Sequence, residues 1–134
     1  MLVQSDNLAK LLLRLTVGGL MIFHGISKIL HGVEWMGPLV SGVGLPEFVK
    51  YGAYLGEGLG PALLILGYRT RIGALLVMAD MLMAIVLVHR HQIFSLGPAG
   101  GWAIELPALY LLAALAVFFA GPGKYSIGGG KTWG

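Results

Sequence analysis

The stretch LLLRLTVGGLMIFHGISKIL, residues 11–30, decides the class of fold. Its only ionisable groups are Arg14, His24 and Lys28. About 20 apolar residues in a helix span the hydrocarbon core of a bilayer. A segment surrounded by lipid must also satisfy its own backbone N–H and C=O groups, which makes it a helix. Three further stretches read the same way: about 48–66 behind Pro46, 72–88, and 102–120, the last ended by Gly121-Pro122-Gly123. Four strands of about ten residues would not close a membrane barrel. The expectation is therefore all-α, an integral membrane four-helix bundle, with residues 1–134 as a single four-span domain.

Composition agrees. Only 11% of the 134 residues are charged and 57% are hydrophobic, with mean hydropathy +0.83. A soluble domain devotes about a quarter of its residues to charge, and one this small needs them on its surface. Disorder fails for the opposite reason, too much apolar content. The absence of cysteine excludes disulfides, thiolate zinc sites, iron–sulfur clusters and a cysteine nucleophile. Nine basic residues against six acidic ones give +3, but they flank apolar runs and form no stripe with interleaved aromatics. Nucleic acid is not an expected partner; the lipid bilayer is.

The flanking charges set orientation. With both termini on one side, that side holds Lys10, Arg14, Arg69, Arg71, Lys124 and Lys131, against Lys28, Lys50 and Arg90 on the other. The positive-inside rule then predicts a multi-pass protein with both termini and the Arg69/Arg71 turn in the cytoplasm. No A-x-A site follows residues 11–30, so a cleaved signal peptide is not expected. Gly52, Gly56 and Gly60 recur every four residues, a spacing that suits a close helix crossing within the bundle or between protomers.

The informative residues are those that lipid should reject. A charge at mid-bilayer costs about 2.5 kcal/mol or more, so such groups face the bundle interior and pair. His24, Lys28 and His31 form one helical stripe; Lys50, Tyr54 and Glu57 form another; Asp80, Ala84, Leu87 and His91 form a third. Glu105 shares a face with Trp102. By depth these groups converge on the middle and outer half of the bundle, which suggests a polar pocket opening outward. His24, Lys28, Glu57 and Asp80 are the expected catalytic groups, with Tyr54, Trp102 and Glu105 as ligand-binding neighbours. Three acids face one or two cations there. Either one carboxyl keeps its proton, or His24 gains one, or a cation or polar ligand completes the site. The bland alternative is an ion-pair network that fixes helix register with no chemistry. His31, His89 and His91 read as loop or interface residues, and Trp35, Trp102 and Tyr110 as interface anchors. A bis-histidine haem between His24 and His89 or His91 lacks a supporting motif, so neither haem nor metal is expected.

The segment from Arg14 to Lys28, with His24-Gly25 inside it, resembles the first helix of the DoxX family of small bacterial membrane proteins. So do Gly56-Glu57-Gly58-Leu59-Gly60 followed by Gly67-Tyr68-Arg69-Thr70-Arg71, the third span with Asp80 and Met83-Ala84, and the closing Gly121-Pro122-Gly123-Lys124-Tyr125-Ser126. The likeness runs from about residue 8 to 127. One departure is that Gly128 follows Ile127 where the family often has an acid. The resemblance implies a four-helix bundle in the bacterial cytoplasmic (inner) membrane. Some family members are subunits of thiosulfate:quinone oxidoreductase and others are linked to quinone or thiol-redox stress.

Two functions follow as expectations. The first is a quinone-linked redox component, with a quinone as the cofactor and activity as a subunit of a quinone-dependent oxidoreductase. There His24 donates to a carbonyl oxygen, Glu57 or Asp80 handles the proton, and Lys28 stabilises negative charge. No electron-carrying motif is visible, so a redox partner protein would exchange the electrons. The alternative is a non-enzymatic assembly or interaction subunit whose buried charges are structural and whose Gly-rich second helix mates with a membrane protein or a second copy of itself.

Overall fold

A computed structural model describes residues 2–128 and Gly134. Lys131, counted in the charge balance, lies outside them. All regular structure among the described residues is helical; an isolated antiparallel bridge pairs Leu96 with Trp102.

Helix α1 is Leu2–His31. It is fixed near its start by the Lys10–Asp6 pair at 2.8 Å, and it ends at Gly32, whose φ of +78° only glycine adopts freely. A short 3-10 turn, Glu34–Met36, leads to α2, Gly37–Gly42. Beyond Pro46 one helical run changes pitch along its length. It passes from a 3-10 turn, Glu47–Tyr51, through α3, Gly52–Tyr54, and a π-turn, Leu55–Leu59, to α4, Gly60–Leu66. Pro61 supplies a reason for the change: it has no N–H to offer the Glu57 carbonyl four residues back, so the ladder opens just before it.

Gly67, with φ +67°, closes α4, and α5 follows at Thr70–Ala84. A second π-turn, Ile85–His89, and a 3-10 turn, Arg90–Gln92, extend it. Helix α6 is Glu105–Ala120. It starts later than the span expected at 102–120, because residues 95–103 fold back on themselves. There Ala103 N–H donates to Ser95 O (3.0 Å) and Gly97 N–H to Gly101 O (2.6 Å).

The 47–66 run is clamped between α1 and α5, and α5 also packs along α6. The clamp depends on glycine. A Cβ at Gly18 would stand 2.8 Å from the Pro61 carbonyl oxygen, and one at Gly60 would stand 3.1 Å from that of Gly73. Such approaches bring backbones together where lipid provides no hydrophobic drive. Gly56 and Gly60 are thus occupied inside the chain, while Gly52 faces open space. Val17, Met21, Leu64, Ala74, Val77, Met81, Ala114 and Val117 fill the centre.

The outside is as apolar as the inside. Phe23 (68% exposed), Ile29, Leu59, Leu75, Leu82, Leu109 and Phe119 (70%) all point away from the chain. Two helices, Gln4–His31 and Thr70–Gln92, are long and apolar enough to cross a membrane, and only 28% of each apolar window is buried within the protein. A core helix of a soluble protein would be mostly buried. This surface calls for lipid.

Candidate functional site

Lys28 comes from the last turn of α1 and Glu57 from the middle of the first π-turn. Their Nζ and Oε2 form an ion pair, and both are largely withdrawn from the surface. The pair meets because α1 crosses the run at Gly25, where a Cβ would run into the Glu57 backbone carbonyl. Asp80 of α5 stands beside Glu57, its carboxyl seated in the notch left by Gly56, where any Cβ would collide with the Asp80 side chain. Asp80 Oδ2 is buried without a hydrogen-bond partner. Tyr54 Oη donates to the Lys28 carbonyl at 3.3 Å, tying the end of α1 to the run. Lys28 Nζ also sits 6.0 Å from the centre of the Trp35 ring, within cation–π range.

Glu57 forms part of the wall of a cavity of about 220 Å³. His24, Trp35, His89 and Tyr110 line it too, between apolar walls that include Met21, Met81 and Leu106. His24 and Tyr110 meet edge to face, ring centres 6.4 Å apart at 85°. His89 Nδ1 and Gln92 Oε1 share a hydrogen bond at 2.9 Å. Asp80 belongs to the wall of a second cavity of about 210 Å³, with Gly56, Leu76, Ala79, Met83 and Leu87. The two neighbouring carboxyls therefore serve different cavities.

His24, Lys28, Glu57, Asp80 and Tyr54 come together as the helical stripes required. Trp102 and Glu105 do not join them. Both belong to the folded-back loop or its exit: Trp102 Nε1 donates to Ile93 O at 2.6 Å, and the exposed Glu105 carboxylate stands over Gly101. Lys50 is likewise withdrawn, into its own cluster with Glu34 (2.7 Å) and Glu47 (2.9 Å). The exposed His31 turns back on Ser27 O at 3.0 Å, and Arg90 and His91 are exposed. One cation thus faces two acids in the cluster, so the excess if all ionise is a single negative charge.

Sequence spacing placed His89 in a loop and Tyr110 at an interface. Both line the cavity instead. Ordinary helical spacing puts Met81, Ala84 and Val88 on the cavity face and Asp80 and Leu87 on another, and the π-turn at Ile85–His89 shifts the register so that His89 joins the cavity. That Glu57 and His89 each sit on a π-turn is the clearest local mark of the site; no spacing rule reveals it.

Arg14 is the other residue that spacing misplaced. It was read as a flanking charge, yet it is 1% exposed and donates through Nη1 to Leu64 O (3.2 Å) and through Nη2 to Tyr125 O (2.5 Å). It adds a second donor to the Leu64 carbonyl, which also accepts Gly67 N–H (3.2 Å), and so ties the end of α4 to the Tyr125 carbonyl.

The DoxX family profile matches residues 9–90 of the chain, a span that contains His24, Lys28, Glu57, Asp80 and His89. A Bacillus subtilis (strain 168) protein named "Putative oxidoreductase CatD" is similar, 28% identical over 117 residues that make up 87% of each chain. No solved structure matches.

Proposed function

The chain belongs to the DoxX family of membrane proteins, and from that premise we propose that it is a quinone-linked redox component of the bacterial inner membrane. In this reading it is a single domain that crosses the bilayer four times as a four-helix bundle, through α1, the 47–66 run, α5 with its extension, and α6. Both termini and the Arg69/Arg71 turn face the cytoplasm. The observation that carries the reading is the Lys28–Glu57 pair, whose Glu57 stands in the wall of a largely apolar cavity that His24, His89 and Tyr110 also line. The name of the Bacillus relative, an oxidoreductase, points the same way.

The residues suit a planar ring with oxygens at its ends. An apolar cavity of about 150 Å³ already accepts benzene, so about 220 Å³ takes one substituted ring and no long tail. Bound there, a quinone would supply the exchange of two electrons and two protons. The protein's own groups would do the rest. His24 donates a hydrogen bond to one ring oxygen, and His89, held at Nδ1 by Gln92, meets the other with its second ring nitrogen. Glu57 gives or takes the proton, with Lys28 beside it to hold the carboxylate form. Asp80 provides the next station for that proton, on the side away from the ring. Met21 and Met81 supply soft contact. Electrons pass to or from a partner protein.

Gentle detergent purification followed by mass spectrometry of bound lipids and an absorption spectrum tests this. The reading expects a co-purifying quinone in wild type that is lost in Glu57→Gln at near-normal accumulation. Wild type free of quinone, with Glu57→Gln failing to accumulate, would return the cluster to a structural role. The assembly reading loses its motif in part, since Gly56 and Gly60 are already covered by α5.

A further inference from the structure

Between the extension of α5 and the start of α6 lies the sequence HRHQIFSLGPAGGWAI, residues 89–104, which contains no acidic residue. It is a built loop. Ala103 N–H to Ser95 O, Gly97 N–H to Gly101 O and Gly100 N–H to Gly97 O fold it into a narrow hairpin, and the Leu96–Trp102 bridge closes the stem. This ordered scaffold displays apolar side chains outward: Phe94 is 102% exposed, Leu96 74% and Trp102 44%. The indole N–H of Trp102 is already given to Ile93 O, so the ring can enter an apolar medium without an unpaired donor. The basic side of the loop is Arg90 and His91, both exposed.

The stems locate the hairpin. Val88 and His89 precede it, Leu106 and Pro107 follow it, and all four line the 220 Å³ cavity. The hairpin adjoins the cavity, at the ends of two apolar helices, one of them long enough to cross a membrane. A loop anchored there, aromatic and flanked by Arg90 and His91, with the exposed Glu105 carboxylate over Gly101 at its exit, matches the headgroup layer of a bilayer.

We propose that the 93–104 hairpin is seated in the outer lipid interface, with Phe94, Leu96 and Trp102 as its anchors, and holds the cavity mouth open to the membrane rather than to water. The lipid seating is independent of what the cavity binds. The further consequence, that the ligand enters sideways from the bilayer with its tail left in lipid, rests on the quinone reading.

The absence of cysteine makes the test clean, because Phe94→Cys and Ala99→Cys each create one labelling site in the full chain. The protein is reconstituted into phosphatidylcholine vesicles with and without phosphatidylglycerol, and a nitroxide at each position is probed with oxygen and with a water-soluble nickel chelate. The proposal expects the label at 94 to favour oxygen over nickel several-fold, and the label at the tip, 99, to favour nickel. Equal nickel access at both positions overturns it in favour of a water-exposed loop. Exclusion of both probes at 94 overturns it in favour of a protein partner or a second copy. A second arm separates this result from the quinone reading. Phe94→Ser combined with Leu96→Ser should raise the apparent Kd for a long-tailed quinone about tenfold and leave a tailless one unchanged. Lipid seating with no binding of either quinone keeps the hairpin anchor and removes the quinone reading; equal losses for both quinones overturn lateral entry.

Discussion

Arg14 and Lys28 project from the same helix, each inside the apolar body of the protein, and they are treated in opposite ways. Among the described residues Arg14 is paired with no carboxylate; its partners are the backbone carbonyls of Leu64 and Tyr125. Lys28 meets Glu57, with Asp80 close by, at the edge of a cavity. A guanidinium has five donors fixed in a plane and stays charged, so it can fasten two backbone segments. An ammonium facing two carboxyls forms a group whose protons can be redistributed. The first arrangement holds the fold at one end of the bundle, and the second offers chemistry at the other.

Substitutions that break this contrast should separate stability from binding. The largest effect is expected for Arg14→Ala. It takes the guanidinium donors from the Tyr125 and Leu64 carbonyls, the latter keeping Gly67 N–H, and empties a fully buried side-chain volume, at a cost of about 3 kcal/mol or more. Thermal unfolding in detergent and membrane accumulation should both fall, while the quinone bound per surviving protein stays constant. Lys28→Met comes next, at about 2–3 kcal/mol, because it leaves Glu57 and Asp80 facing one another without a cation. Here both stability and binding should drop. Glu57→Gln should cost less than about 1 kcal/mol in stability, since Asp80 remains to balance Lys28, yet weaken ligand binding tenfold or more, about 1.4 kcal/mol. Equal stability losses in Arg14→Ala and Glu57→Gln would erase the distinction. Tyr54→Phe sharpens it at the small end. Losing one hydrogen bond to the Lys28 carbonyl should cost about 0.5–1.5 kcal/mol and change affinity less than Glu57→Gln does.

Much of this organisation was legible in the sequence. Scarce charge and apolar runs pointed to a membrane protein, and helical spacing brought His24, Lys28, Tyr54, Glu57 and Asp80 together. What escaped has identifiable causes. Spacing rules assume 3.6 residues per turn, so the π-turn at Ile85–His89 was enough to hide His89. Burial of a charge by carbonyls leaves no signature in residue types, so Arg14 read as a flank. Trp102 reads as helical in the sequence because the loop before α6 is itself apolar; its hairpin bonds are backbone bonds, which composition does not display. Gly25, whose missing side chain allows α1 to touch the Glu57 carbonyl, is one of 22 glycines and had nothing to distinguish it.

The central claim is that the Lys28–Glu57 cluster borders a ligand site. The most direct test is an equilibrium titration of the purified protein in lipid nanodiscs with a tailless quinone. Trp35, in the cavity wall near Lys28, serves as the fluorescent reporter, with Trp35→Phe as the control that identifies its signal. The account predicts saturable quenching in wild type and at least a tenfold weaker midpoint in Glu57→Gln of unchanged thermal stability. Superimposable titrations of the two proteins, or quenching that never saturates in either, would contradict it.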